Sequence, residues 1–262
     1  MRLERELAIA REAASSAGEI IARYCKERTL HHWHKDDDSP VTEADLEANA
    51  AIERALRAAF PGDAILSEEA VDLGHSRGAE RLWIIDPLDG TKELIAGIPE
   101  FAVSVGLAVA GEPVLGCVYQ PLTHECYWAA KSTGAFLDGT RISVSGVRRL
   151  SDATLLSSRT ETKRSQLEPY AHLFARMEPT GSAALKLSYL ACGRGDLWIS
   201  TAPKNEWDVC AGDLILREAG GTMITLGSGV RTYNQEKPLL EPPIVAGSPD
   251  LVREFVERSR ER

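Results

Sequence analysis

Six short apolar runs between residues 64 and 139 constrain the fold more than any other feature of this chain. They are AILS (64–67), LWIID (82–86), FAVSVGLAV (101–109), PVLGCVYQP (113–121), ECYWAA (125–130) and AFLDG (135–139). Gly, Pro and Asp punctuate them closely, which predicts a meander of antiparallel strands. Upstream, Leu3, Leu7, Ala10, Ala14, Ala17, Ile20, Ile21 and Tyr24 recur at helical spacing. The polar stretch HHWHKDDDSP breaks that pattern. A second helix, TEADLEANAAIERALRAAF, then runs to Pro61-Gly62, with Leu46, Ile52, Leu56, Ala59 and Phe60 as its apolar face. Two helices followed by a run of strands predict α+β packing.

From about residue 150 the pattern alternates. Strand-like TLLSS, DLWIS, TMITL and PPIVAGS are interleaved with helix-like SQLEPYAHLFARM, GSAALKLSYLACG, EWDVCAGDLILREAG and SPDLVREFVERSRER. This half reads as α/β. The expected division is into 1–145, carrying the antiparallel sheet, and 146–262, carrying the α/β half; no linker-like segment marks it, so the two share an extensive interface. A chain of 262 residues, 44% of them hydrophobic, can bury a core for one large domain or two small ones.

Charge and cysteine content exclude several functions. A formal net charge of −9 gives no general grip on a nucleic-acid polymer, although an acidic chain binds an anionic substrate when metal ions lie between them. Charges interrupt the N-terminus from the start, so no signal peptide is expected, and no run is long enough to cross a membrane. Five cysteines, an odd number without a CxxC, point to a reduced, cytoplasmic protein.

The acids stand at element ends. Glu68 and Glu69 follow AILS, Asp86 and Asp89 follow LWII, Asp208 opens the helix WDVCAGDLILREAG, and Asp45 lies in the first turn after Pro40. Carboxylates brought together raise one another's pKa and disfavour the site, and hard divalent cations such as Mg²⁺ relieve that repulsion. In Asp86-Pro87-Leu88-Asp89 the proline stiffens the turn, so both acids can face one point and the Leu88 carbonyl can join them. Gly90-Thr91 then opens KELIAG, where a helix N-terminus suits a phosphate and the Thr91 hydroxyl can hold an attacking water.

Structural readings stand beside these. Asp45 completes a Thr-x-x-Asp capping box with Thr42, Asp89 suits a turn, Asp208 suits a helix dipole, and Glu68 and Glu69 suit a solvated surface. His31, His32 and His34 fit no usual zinc spacing and read as a polar loop. The GxG of CGRGD is too short for a dinucleotide fingerprint, and neither a P-loop nor GxSxG occurs. The segment VDLGHSRGAER (71–81) reads as a surface connection, with closure over a substrate as its alternative role.

WIIDPLDGT together with WDVCAGDLILREAGG resembles the two signatures of the inositol monophosphatase superfamily, Mg²⁺-dependent and lithium-sensitive phosphomonoesterases. SPVTEAD, SEE, DPLDGT, GCVYQP, GSAA and WDVCAG occur in the expected order through nearly the whole chain. The resemblance implies a layered sandwich of helices, a largely antiparallel sheet, helices, a second sheet and helices (αβαβα). It implies that Glu68, Asp86 and the Leu88 carbonyl bind one Mg²⁺, that Asp86, Asp89 and Asp208 bind a second, and that Glu68 helps a third ion through water. It implies that Thr91, coupled to Asp45, positions and deprotonates the attacking water. Gly90, Thr91 and Lys92, with Gly181 and Ser182 of GSAA, are then the expected phosphate and substrate contacts.

The substrate signals diverge. DGTKEL resembles the DGTKEF of 3′(2′),5′-bisphosphate nucleotidases rather than the DGTTNF of inositol-cleaving members, although Leu94 replaces the phenylalanine. Inositol-cleaving members carry an acid seven residues before the Trp-Asp aspartate, a position held here by Thr201, and the nearby Lys204 suits a second phosphate. The expectation is therefore a phosphatase for the 3′-phosphate of adenosine 3′,5′-bisphosphate, with inositol 1-phosphate and fructose 1,6-bisphosphate as alternatives. A monomer or a homodimer fits the resemblance. A catalytically silent binding module is disfavoured, because every side-chain metal ligand implied by the resemblance is present.

Overall fold

The computed structural model describes residues 3–27, 31–35, 40–70, 78–226 and 232–260. The first half begins with α1 (Glu4–Glu27), the strands β1 (His32–His34) and β2 (Pro40–Thr42), and α2 (Glu43–Ala59). Then come β3 (Ala64–Ser67), β4 (Arg81–Asp89), α3 (Thr91–Ile95), β5 (Ala102–Val109), β6 (Glu112–Gln120), β7 (Glu125–Ala130), β8 (Gly134–Leu137) and β9 (Thr140–Ile142). The second half holds β10 (Thr154–Ser157), α4 (Arg159–Lys163), α5 (Glu168–Ala171), β11 (Arg176–Pro179), α6 (Ala183–Ala191) and β12 (Leu197–Ser200). It ends with β13 (Lys204–Asn205), α7 (Glu206–Glu218), β14 (Thr222–Thr225), β15 (Leu239–Leu240), β16 (Ile244–Gly247) and α8 (Pro249–Arg260).

The expected meander is present. Strands β3 to β9 lie in chain order in one seven-stranded sheet, antiparallel throughout except for the parallel pair β3–β4. A second sheet has the order β11-β10-β12-β16-β14, with β10 parallel to β11 and β12, and β16 antiparallel to β12 and β14.

Alternation along the strands builds the layers. In β4, Trp83 and Ile85 pack with α1 and α2, whereas Leu82 and Ile84 face the opposite core with α6 and α7. In β12, Trp198 joins that same middle core, while Leu197 and Ile199 turn to an outer core with Leu251, Val252 and Phe255 of α8. The result is the layered αβαβα sandwich: α1 and α2, the large sheet, α6 and α7, the second sheet, α8.

Four local readings change. Leu46 is 42% exposed, because Ala44, Ala48, Ile52 and Leu56, spaced by four, form the buried stripe of α2. The histidine-bearing stretch is not a loop: His32–His34 pairs with Pro40–Thr42 in a two-stranded ribbon. The helix expected over SQLEPYAHLFARM is confined to Glu168–Ala171, since the backbone of Arg176–Pro179 pairs with β10 while Leu167 and Phe174 anchor the outer core. The strand LWIID continues to Asp89. Residues 71–77 of the expected surface connection, and 36–38 of the acidic run after the histidines, lie outside the described residues.

Candidate active site

The parallel pairing of β3 and β4 decides where the first acids meet. Ser67 lies beside Ile85, so Glu68 and Asp86 leave adjacent strands at the same end. β4 keeps register with β5 as far as Asp86 opposite Ser104, breaks it over Pro87-Leu88, and resumes with Asp89 opposite Ala102. Such an irregularity bends a strand and re-aims its side chains. Asp86 Oδ1 accepts from the Leu88 amide at 3.0 Å, which holds the turn. Gly90 follows at φ 108°, and a Cβ there would lie 3.0 Å from both Glu100 O and Phe101 Cβ, so glycine is required before α3.

Asp208 comes from the second half of the chain. α7 lies directly on β5 and β6, where a Cβ on Gly116 would fall 2.3 Å from Ala211 O and one on Gly106 2.9 Å from Cys210 Sγ. Ser104 Oγ donates to Trp207 O at 3.3 Å, and the Asn205 amide donates to Asp208 Oδ2 at 2.9 Å. The GSAA segment docks on Asp89, whose Oδ2 accepts from Ser182 Oγ at 2.6 Å and from the Ala184 amide at 2.7 Å.

One cavity of about 600 Å³ gathers these groups: Glu68, Asp86, Leu88, Asp89, Gly90, Thr91, Lys92, Gly181, Ser182, Lys204 and Asp208 all line it. Asp45 stands behind them, 1% exposed. Its Oδ1 accepts from Thr91 Oγ1 at 3.0 Å, and its Oδ2 accepts from the Thr42 amide at 2.8 Å and from Thr42 Oγ1 at 2.5 Å. The capping-box reading of Asp45 and its coupling to Thr91 are therefore both present, on its two oxygens.

Crowding shows in the electrostatics. Burial, then the charges of Glu68, Asp89 and Asp208, hold the Asp86 carboxyl well above the ordinary carboxylate range. Burial and the charge of Asp89 push Asp208 up to about 7, against the pull of Lys204. Burial raises Glu68 and Asp45 as well, opposed by Lys35 in the first case and by the Thr42 and Thr91 hydrogen bonds in the second.

Among the described residues, no three His, Cys, Asp or Glu side chains are closed tightly enough to hold a metal ion as they stand. Their present partners account for this: Asp89 is turned to Ser182 and Ala184, Asp86 to Leu88 and Asp208 to Asn205, while Glu68 Oε1 accepts from Lys35 Nζ at 2.9 Å. The chemistry of the set still fits a hard divalent cation, being oxygen-only, mutually repelling and sharply desolvated at Asp86.

A stability test follows. A carboxyl whose folded pKa is raised contributes most below its unfolded pKa, and that contribution is lost as pH rises through the folded value. In chelator, the unfolding midpoint is expected to fall by several degrees as pH climbs from the ordinary carboxylate range through about 7, the value for Asp208. Adding Mg²⁺ above that window is expected to restore it; a midpoint that rises across the interval in chelator would show that the acids do not repel.

Two residues that line the cavity, Lys186 and Glu161, and one that contacts Glu68, Lys35, had no sequence signal. Lys35 bridges Glu68 and Glu69, a pairing that lifts it to about 12 against the effect of burial. Lys186 is buried in α6 and donates to Thr180 O at 2.9 Å and Ser182 O at 2.8 Å; desolvation lowers it to about 8. Glu161 reaches from α4 to accept from the Thr201 amide at 2.5 Å. Lys35 and Glu161 meet partners more than thirty residues away in sequence, which no local pattern encodes, whereas Lys186 bonds within its own segment and only its burial between the layers was hidden.

The chain matches the inositol monophosphatase family over residues 2–258. It is 35% identical to Nus factor SuhB of Vibrio cholerae over 97% of this chain and 96% of that protein. The inositol monophosphatase of Anabaena (Nostoc) sp. PCC 7120 superposes with a TM-score of 0.82 at 30% identity, covering 100% of this chain and 97% of that one. CysQ from Bacteroides thetaiotaomicron, a bacterial member of the same family, superposes with a TM-score of 0.77 at 30% identity, covering 94% and 97%.

Proposed function

The chain belongs to the inositol monophosphatase family, and we propose that it removes the 3′-phosphate of adenosine 3′,5′-bisphosphate by in-line attack of water. The observation that carries this reading is the single cavity in which four acids, the Thr91–Asp45 pair and several cations face one another. Glu68, Asp86, the Leu88 carbonyl, Asp89 and Asp208 would hold Mg²⁺, which when bound would polarise the water and neutralise charge on the phosphate.

The chain's own groups do the rest. Thr91 Oγ1 donates to Asp45, so its lone pairs are free to take a hydrogen bond from the attacking water. As the water oxygen bonds to phosphorus, its proton passes to Thr91 Oγ1 while the threonine proton moves to Asp45 Oδ1. Burial makes Asp45 a better acceptor for that proton. The ester P–O bond breaks and the leaving oxygen takes a proton from solvent. The amides of the first turn of α3, opened by Gly90, have no partner within the helix and would orient the phosphate oxygens.

The bisphosphate is preferred because Lys92, Arg164, Lys186 and Lys204 line the same cavity. Once divalent cations balance the acids, these remain for a second phosphate. Lys204 lines the cavity with Asp208 and its charge opposes the rise of the Asp208 carboxyl, which supports a role beside the reacting end. The DGTKEL sequence supports the same choice. The name Nus factor stays with the relatives that carry it.

A kinetic panel in Mg²⁺ tests the reading. Adenosine 3′,5′-bisphosphate is expected to exceed inositol 1-phosphate and fructose 1,6-bisphosphate in kcat/KM by at least about tenfold, roughly the discrimination of one well-placed interaction. All turnover should disappear in chelator and fall in lithium. Equal or faster hydrolysis of inositol 1-phosphate would replace the nucleotide with the polyol.

A further inference from the structure

Two residues that line the cavity each carry a buried polar atom with no role in the chemistry above. Glu161 is 2% exposed, and the donors reaching it converge on one oxygen. Oε1 accepts from the Thr201 amide at 2.5 Å, Thr201 Oγ1 at 2.9 Å, the Ala202 amide at 3.2 Å and Ser200 Oγ at 3.2 Å. Oε2, equally buried, finds no hydrogen-bond partner among the described residues. Neither does the indole Nε1 of Trp198, a fully buried side chain of β12. Glu161 and Trp198 line the same cavity. Strand alternation puts Trp198 on the face of β12 shared by Ser200, whose hydroxyl reaches Glu161.

An unpaired buried acceptor and an unpaired buried donor are each costly and call for an explanation. If Glu161 served only to tie α4 to the end of β12, burying its second oxygen without a partner would weaken the tie. Lys186 does not reach it: the ammonium gives two of its three hydrogens to Thr180 O and Ser182 O and makes no hydrogen bond to Glu161. The kind of ligand group that fits follows from the inventory of donors and acceptors. A phosphate dianion has no hydrogen to donate to a carboxylate and is repelled by it. An ammonium cannot accept from the indole. A hydroxyl does both, giving its hydrogen to Oε2 and taking one from Nε1.

We propose that Glu161 and Trp198 form a hydroxyl-reading subsite, which selects leaving groups with a free hydroxyl next to the phosphoester. This rests on the reading of the cavity as a phosphomonoesterase site, and it adds a specificity determinant to that site. A ribose and a polyol both present such a group, so the test has one arm for each. The ribose arm compares adenosine 3′,5′-bisphosphate with its 2′-deoxy analogue. The polyol arm compares inositol 1-phosphate with cyclohexyl phosphate, which has the same ring and an alcohol leaving group but no free hydroxyl.

Glu161→Gln keeps an oxygen for the Thr201 and Ala202 amides and replaces the open acceptor with an N–H. Trp198→Phe removes the donor and keeps most of the ring. The wild-type protein is expected to favour the hydroxyl-bearing member of at least one arm by roughly 10- to 100-fold in kcat/KM. Each variant is expected to bring that ratio to within about threefold of unity. A purely structural Glu161 would leave the ratio where it was, since the glutamine retains the anchors. That result, or a wild-type protein with no preference in either arm, overturns the subsite. Hydrolysis of none of the four compounds by the wild-type protein overturns the phosphatase reading itself, and the subsite with it. Thermal unfolding of both variants shows that each is folded, and if one is not, the other carries the comparison.

Discussion

Asp89→Asn is expected to lower kcat by roughly 10²–10³-fold or more, the scale on which a preorganised electrostatic contact acts, without loosening the fold. Asp89 Oδ2 already serves the protein, accepting from Ser182 Oγ and the Ala184 amide. Asparagine can present its oxygen to those two donors, so the docking of α6 survives. What faces the cavity is then an N–H₂ group in place of an anionic oxygen, and a hard cation has no use for it. The chelated variant should even melt at or above the wild-type midpoint, because the charge of Asp89 is one of those that raise Asp86 and Asp208. Lost turnover with a retained midpoint, together with weaker Mg²⁺ binding by calorimetry, is the expected pattern. Wild-type turnover in the variant, or in chelator, would remove the metal from the mechanism. Retained ligand binding with no turnover in either protein would turn the cavity into a binding site.

The layers were legible because each rests on local periodicity. Alternation in LWIID and DLWIS sends Trp83 and Ile85 one way and Leu82 and Ile84 the other, and Trp198 away from Leu197 and Ile199. The gathering of Glu68, Asp86, Asp89 and Asp208 in one cavity was legible for a related reason: each acid closes or opens an element, and element ends of a layered fold meet at its edge. What was not legible depended on pairings that no periodicity encodes. The parallel sense of β3 and β4, which sets Glu68 beside Asp86, is a matter of how the chain returns to the sheet. The strand Arg176–Pro179 wins over a helical pattern because β10 has ladder positions to fill.

Thr201 is the clearest case. Its lack of an acid counted against inositol 1-phosphate. The folded chain delivers a carboxylate to that backbone from Glu161, forty residues earlier in sequence. A position can therefore lose a functional group in sequence and regain it in space. On the proposed reading, a second phosphate and a free hydroxyl would be compatible demands of one ligand, and a nucleoside 3′,5′-bisphosphate would meet both.

Thr91→Ala is expected to reduce kcat by roughly 10²–10⁴-fold, the range for loss of a positioned proton-transfer group, with KM within about threefold of wild type. The local structure predicts this separation. Among the described residues, Thr91 Oγ1 hydrogen-bonds only to Asp45 Oδ1 and, at 3.2 Å, to Leu88 O. The capping box that starts α2 uses the other oxygen of Asp45 and persists without it. The variant therefore loses a hydroxyl aimed at the attacking water, while the α3 amides and cavity cations that hold the substrate remain. Thr91→Ser keeps the hydroxyl and is expected to recover most of the turnover. Asp45→Asn should cost a similar factor in kcat and, through the cap, about 1 kcal/mol of stability. If Thr91 and Asp45 act as one relay, the double variant is no slower than the worse single one, since a broken relay cannot be broken twice. Multiplying defects would mean that the two act separately, and a raised KM at unchanged kcat would make Thr91 a phosphate holder rather than the group that receives the proton from water.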